Sequence, residues 1–504
     1  MQINTSVILL ALAFVVAKRL PKAVAHTQPI LCCDKLNALF HGQGKVVFPN
    51  SPTYNTQNTY WSTSSYETPT CIFTPASAQD VSKAVALFKQ KSCIFAIRSG
   101  GHMPNLGWSS TSNGVLVSLS GLTSLHYNAH RNLVQIGTGN RWNNVYTYLD
   151  PYNVTALGAR DSSVGVGGSI LGGAISFLSN KHGWATDNVV DFEIVLADGR
   201  IVHANQGQNA DLLRALRGGS SNFGIVTSIT AKTYSLSTIT SGVMLYPSSS
   251  TNLYLQALYN YAVNGQDSNP NFHIISIFSK SPGQGVGVIG VPFWAGEPVS
   301  LSNAPPVMRP FTDGSVPWNA QFMSNLTGMA GITTALIAPL GNATRSQWHV
   351  CSIIANLQLF KDIVNIWKTT IAPYENTIPG ISNSIAFQPI GHEFIDAAQT
   401  NGGNSFGITA PLVIVSSNPY WINAADDETM YALLAKLFAK IKVAAIRANK
   451  YVPFEYLNYG GINQDPIASY GRQSVQRLAN SKRKYDPDNV FGKLVQGGFK
   501  VPGF

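Results

Sequence analysis

The sequence predicts an α+β protein, on three observations. Between residues 71 and 234 short apolar runs alternate with Gly- and Asn-rich turns, segments of helical periodicity are interleaved with them, and from about 235 the texture changes to longer mixed segments. At roughly 150 residues per domain, 504 residues make two large domains or three smaller ones. In chain order, CIFAIR (93–98), GVLVSL (114–119) and LVQIGTG (133–139) are the length and composition of strands. FEIVLADGRIVHA (192–204) reads as two strands around Asp198-Gly199, a pair that supplies the positive φ angles of a tight hairpin. FGIVTSITAKTY (223–234) is a further strand. Apolar spacing predicts helices over 78–90, 141–149 and 210–217, and, in the second half, over 253–263, 359–369 and 426–449. FEYLNY (454–459), rich in aromatics, reads as a strand near the C-terminus.

Composition narrows the function. Charged residues are only 12% of the chain, against about 25% in an average protein, which argues against disorder and against a charge-driven polymer binder. Three of the positive charges behind the formal +10, namely Lys18, Arg19 and Lys22, lie in the N-terminal leader. The one dense basic group, Arg477, Lys482, Arg483 and Lys484, lacks interleaved aromatics and reads as a solvated helix end, so no nucleic-acid partner is expected. Residues 7–17 form an apolar run too short for a bilayer, which needs about 20 residues, and Ala23-Val24-Ala25 offers a cleavage site. Residues 1–25 are therefore predicted to be a signal peptide, with an uncleaved anchor as the alternative because the positive charges follow the apolar core. No other segment looks transmembrane. Sequons at Asn153, Asn325 and Asn342 agree with secretion and N-glycosylation. The five cysteines, Cys32, Cys33, Cys71, Cys93 and Cys351, show no C-x-x-C spacing. In an oxidising compartment one or two bridges are expected, with the adjacent pair able to tie the N-terminal segment down through Cys93, and with Cys351 the best candidate for a buried free thiol.

The chain has no G-x-x-x-x-G-K-[ST] loop, no H-E-x-x-H and no G-x-S-x-G, and no metal site is predicted. It does have two glycine clusters, Arg98-Ser99-Gly100-Gly101-His102 and Val164-Gly165-Val166-Gly167-Gly168. The second fails the dinucleotide fingerprint, because Ile170 stands where the last glycine belongs. Two such loops in one α+β unit suggest backbone N–H groups converging on a phosphate-bearing cofactor, since glycine alone lets the main chain come that close.

These loops, with LADGRIV (196–202), ALRGGSSNFGIVT (215–227), YLNY (456–459) and DPDNVF (486–491), resemble the berberine-bridge-enzyme-like branch of FAD-linked oxidases in the vanillyl-alcohol oxidase superfamily, and in particular its secreted fungal members. The resemblance implies a PCMH-type FAD-binding domain over 66–237, a substrate domain over 238–450 built on an antiparallel sheet backed by helices, and a C-terminal segment, 451–504, that returns to the first domain. It implies that the imidazole of His102 bonds to the 8α-methyl carbon of FAD. By the same resemblance Arg98, Ser99, Gly100 and Gly101 contact the cofactor, as do Asp161, Ser162, Gly165, Gly167, Gly168 and Ile225. Many relatives carry a second flavin-bonding cysteine just before the V-G-x-G-G motif; here the residues are Arg160-Asp161-Ser162-Ser163. Single attachment through His102 is therefore expected, with Asp161 at or beside the vacated position. Ala159 falls at the position that gates oxygen in the family.

The family moves a substrate proton to a base while hydride passes to the flavin, and the resemblance assigns the base to Tyr459, with Tyr456 lining the pocket. Gln388 is a candidate to face the substrate and His182 to lie near the flavin. His392-Glu393 is discounted, because neighbours on a strand point to opposite faces. The expected activity is a secreted FAD-linked oxidase that dehydrogenates a small apolar or phenolic natural product and passes electrons to oxygen. The low charge of the second half and its Phe293, Trp294 and Trp318 suit such a ligand. The alternatives are a carbohydrate oxidase of the same fold and a flavin-binding surface protein without turnover.

Overall fold

The computed structural model of the chain describes residues 24–236, 238–280, 286–335 and 344–503. All but the last two residues of the expected signal peptide, and the sequon asparagine Asn342, lie outside these.

The first sheet has four strands in the order Val46–Val47, Cys71–Phe73, Val115–Ser118, Phe95–Arg98, the last three parallel. Val115–Ser118 is buried at every position, the pattern of a strand covered on both faces. Helix Ala78–Lys91 makes the crossover between the strands that flank it. Its first turn is closed by the Ser77 hydroxyl, which accepts the Asp80 N–H at 3.2 Å, and it buries Val81, Ala84, Val85 and Phe88 along one face. Phe95–Arg98 then runs directly into Ser99-Gly100-Gly101-His102.

The second sheet is antiparallel, in the order Leu125–Asn128, Leu133–Gly137, Ile225–Ser235, Val189–Val195, Ile201–Asn205. The expected hairpin is present, with Val195 opposite Ile201 and Gly199 at φ +84°. The other sequence-predicted helices of this half form as Trp142–Leu149 and Ala210–Leu216.

Beyond 238 a ten-stranded antiparallel sheet dominates. Helices Thr251–Asn260, Leu357–Ile371 and Asp427–Arg447 are backed onto it, through a core that includes Phe278, Ile385, Phe387, Val413 and Val415. Residues two apart on a strand share a face, so on Asn383–Ile390 the residues Ile385 and Phe387 join this core while Ser384, Ala386 and Gln388 line a cavity on the other side.

The C-terminal stretch departs from the sequence reading in two places. FEYLNY is not a strand: pairing ends at Tyr451–Val452, Pro453 supplies no N–H, and Leu457–Tyr459 is a tight helical turn in which Tyr459 N–H bonds the Tyr456 carbonyl at 2.9 Å. Nor is the basic group of helix Arg472–Tyr485 fully solvated. Lys482 is 1% exposed and donates to Asp486 at 2.6 Å and to the Asn222 carbonyl at 2.8 Å. Asp486 also accepts the N–H groups of Val490 and Phe491. DPDNVF is thus a clamp, and the chain after it returns to the first sheets: Phe95 N–H bonds the Leu494 carbonyl, and Asn222 donates to the Phe499 carbonyl.

Helix Val24–Leu39 is held by two disulfides, Cys32–Cys93 and Cys33–Cys71, and Cys351 is the free, buried thiol. Asn153 and Asn325 are exposed. Among the described residues no helix is long and apolar enough to cross a membrane.

Candidate active site

The two glycine loops meet. A Cβ placed on Gly100 would overlap the main chain of Gly165, and one on Gly165 would overlap Gly100, so at this crossing only hydrogen fits on either side. Ser99 fastens the contact: its hydroxyl donates to the Thr138 carbonyl at 2.6 Å and accepts the Gly167 N–H at 3.1 Å. Gly101 turns the chain at φ +64° and presents His102. A Cβ on Gly168, by contrast, meets nothing within 4 Å.

Both loops open onto a cavity of about 480 Å³. Ser99, Gly100, Gly101, His102, Asp161, Gly165, Gly167, Gly168, Ile225, Gln388, Tyr456 and Tyr459 all line it. Arg98 and Ser162 do not. The Arg98 guanidinium is buried behind the loop, bonded to the Gln57 carbonyl (2.5 Å) and the Ser118 hydroxyl (3.1 Å) and lying over the Tyr60 ring. Ser162 is fully buried, its main chain bonded to Asn143 and Thr333. His182 also lies elsewhere, stacked on Tyr234 with ring centroids 3.7 Å apart. His392-Glu393 is not on a strand; it opens helix Glu393–Thr400 at the surface. Of the aromatics expected to meet a ligand, Phe293 is packed on Phe177, Trp294 donates to the Glu297 carbonyl and Trp318 is exposed. The cavity's aromatic walls are instead Trp61, Trp108, Trp348 and Tyr420.

His102 stacks on Trp61, with centroids 4.3 Å apart and planes 20° from parallel. Its Nε2 is 3.1 Å from the Ser163 hydroxyl, which is itself 2.6 Å from Asp161 Oδ1. A carboxylate only accepts, so Ser163 donates to Asp161, and the network assigns the imidazole proton to Nε2. Burial, reinforced by the Arg141 guanidinium and only partly offset by Asp161, pushes the His102 pKa down to about 4, so the ring is neutral at pH 7. Nδ1 then carries the lone pair.

At the opposite wall Tyr459 stacks on Trp348, with centroids 4.3 Å apart and planes 10° from parallel, and its hydroxyl accepts an N–H from Arg160 at 3.0 Å. Arg160 also donates to Gln388 Oε1 and to His273 Nε2. Burial and the Arg160 charge hold the His273 pKa well below its ordinary value, so it is a neutral acceptor. Tyr456 is buried, accepts from Asn458 at 3.0 Å, and has its pKa raised by burial and by Tyr459.

Residues 69–205 match the family model described as an FAD binding domain. The FAD-dependent monooxygenase tpcD of Cochliobolus heterostrophus is 32% identical over 448 residues, 86% of this chain and 85% of that protein. The bifunctional solanapyrone synthase of Alternaria solani is 33% identical over 478 residues, 94% of this chain and 89% of that protein. The chain belongs to the same family of FAD-dependent oxidoreductases as these fungal proteins. The glucooligosaccharide oxidase of Acremonium strictum, which holds a 6-S-cysteinyl, 8α-N1-histidyl FAD, shares the fold of this FAD-linked oxidoreductase, with a TM-score of 0.74 at 20% identity over 93% of this chain and 100% of that one.

The residues present fit FAD. The mutual approach of Gly100 and Gly165, and the open space at Gly168, form a cradle that side chains would fill. In this FAD-linked oxidoreductase Gly165→Ala is expected to cost roughly 1–3 kcal/mol of stability through overpacking against main chain, and to lower flavin content with it. Gly168→Ala should melt like the parent and change flavin content alone. Melting curves together with the flavin-to-protein absorbance ratio check both. Sequence reasoning missed Trp61, Trp348 and His273, which lie outside every motif, and it treated Arg160 and Ser163 only as neighbours of an absent cysteine.

Proposed function

We propose that this FAD-linked oxidoreductase is a secreted oxidase that dehydrogenates a small apolar or phenolic natural product, with FAD attached once, through His102, and oxygen as electron acceptor. The observation that carries the reading is that His102 and Tyr459 open onto the same cavity, one a neutral imidazole and the other with a cation on its hydroxyl. When bound, FAD supplies the hydride acceptor. The chain's residues do the rest. Asp161 and Ser163 fix the His102 proton on Nε2, so Nδ1 is the atom assigned to the flavin bond. Asp161 replaces the thiol that would make a second bond, and a carboxylate in its place turns to Ser163 instead. Tyr459 takes the proton of the substrate hydroxyl, and the Arg160 N–H at 3.0 Å fixes where its oxygen sits. The stack on Trp348 holds the ring in place. Ile275, Ile277 and Val291 give the sheet side of the cavity an apolar floor that suits the substrate class. Identity above 30% to monooxygenases and to solanapyrone synthase over most of the chain supports a natural product over a sugar.

Acid precipitation of the purified protein followed by peptide mass mapping tests the attachment. The flavin mass is expected on the peptide holding His102 and on no cysteine peptide. Free flavin in the supernatant would remove His102 from this role, and a second flavinylated residue would overturn single attachment.

A further inference from the structure

We propose that the substrate carries an ionised oxygen, a carboxylate or an acidic phenol or enol, and that Arg160 is its counter-charge in the cavity. The inference rests on reading the cavity as the substrate site and goes beyond it by fixing the charge of what binds. Arg160 is 8% exposed and lines the cavity. Its partners are Tyr459 OH, Gln388 Oε1 and His273 Nε2, none of them a carboxylate. Among the described residues it forms no ion pair. Asp161, the carboxylate among the described lining residues, is committed elsewhere: Oδ1 accepts from Ser163 N–H and Oγ, and Oδ2 lies 3.7 Å from His102 Nε2.

A guanidinium withdrawn from water without a counter-charge is disfavoured, and this one is held in place by Gln388 and Tyr459 on Nη2 and by His273 on Nη1. Such a group, fixed beside the apolar floor of Ile275, Ile277 and Val291, is an anion site whose field water does not screen. The guanidinium N–H groups left undonated attract an oxyanion more strongly than a neutral hydroxyl. An oxyanion seated there is also placed next to Tyr459, and so orients the hydroxyl to be oxidised.

The test uses the flavin-loaded protein and two probes of one shape, benzoate and benzamide, titrated at neutral pH and followed by the change in flavin absorbance. Benzoate is expected to bind at least about tenfold more tightly, which corresponds to about 1.4 kcal/mol. Arg160→Gln should remove the preference and Arg160→Lys should keep part of it. Equal affinities in the parent protein, no perturbation by either probe, or a preference that survives Arg160→Gln would each overturn the proposal. The parent comparison decides without any variant, should the buried substitutions fail to fold. Flavin mass at His102 is read independently, so loss of the anion preference leaves the oxidoreductase reading standing.

Discussion

Replacing His102 with alanine is expected to leave all of the flavin extractable by acid, with a colourless pellet where the parent protein gives a yellow one. Among the described residues nothing else near the glycine crossing offers a comparable nucleophile. Asp161 is an acceptor tied to Ser163, and the described cysteines other than Cys351 are paired. The alanine variant should still fold, because what it gives up locally is a ring stack on Trp61 and one hydrogen bond to Ser163, each worth about 0.5–1.5 kcal/mol. It should still bind FAD without a covalent bond, because the cradle is made by main chain at Gly100 and Gly165. Turnover should fall, since covalent attachment makes a flavin a stronger oxidant. Peptide mass and the absorbance of the acid supernatant give the answer, and flavin mass retained on the protein would show that another residue holds it.

Tyr459→Phe is expected to lower kcat/KM by about a hundred- to ten-thousand-fold, the usual contribution of a positioned base, with flavin content unchanged. Phenylalanine keeps the stack on Trp348 and loses only the oxygen that meets Arg160. That separates proton transfer from packing. The rate is measured with any compound that bleaches the parent's flavin without oxygen present. A variant that keeps parental turnover would exclude Tyr459 as the base.

Most of this was legible in the sequence where chemistry restricts the residue type. Gly100 and Gly165 must be glycine because the main chains touch, and His102 follows a strand that glycine terminates. The alternation of apolar runs located six strands of the first half to within a few residues and missed Val46–Val47, Cys71–Phe73, Leu125–Asn128 and Val154–Ala156. What was not legible was recruited by tertiary packing. Trp61 comes from an irregular segment with no periodicity, and Trp348 from a short connection before strand His349–Ile353. Phe293 was a wrong choice although it shares a strand face with the cavity-lining Val291, because it packs on Phe177 outside the cavity's lining. FEYLNY was misread because aromatic content favours a strand in general while Pro453, next to it, ends this one. Lys482 belonged to a run of basic residues whose exposure is set by Asp486, and nothing local marked that pair as buried.

The two bridges of the N-terminal helix act on the site from a distance. Cys32 and Cys33 are consecutive, and successive helical residues point about 100° apart, so the bonds leave the helix in different directions. One reaches Cys71, the first residue of its strand, and the other reaches Cys93, two residues ahead of Phe95–Arg98. Cys71 and Phe95 are level with each other across Val115, so the helix is a crossbar over the same end of three parallel strands. A single bond would leave a swivel; two from neighbouring residues lock rotation as well as position. The strand beginning at Phe95 is a short lever with His102 just past its far end. A reducing agent that opens Cys32–Cys93 thus frees the near end of the strand that leads to His102, while its pairing with Val115–Ser118 remains.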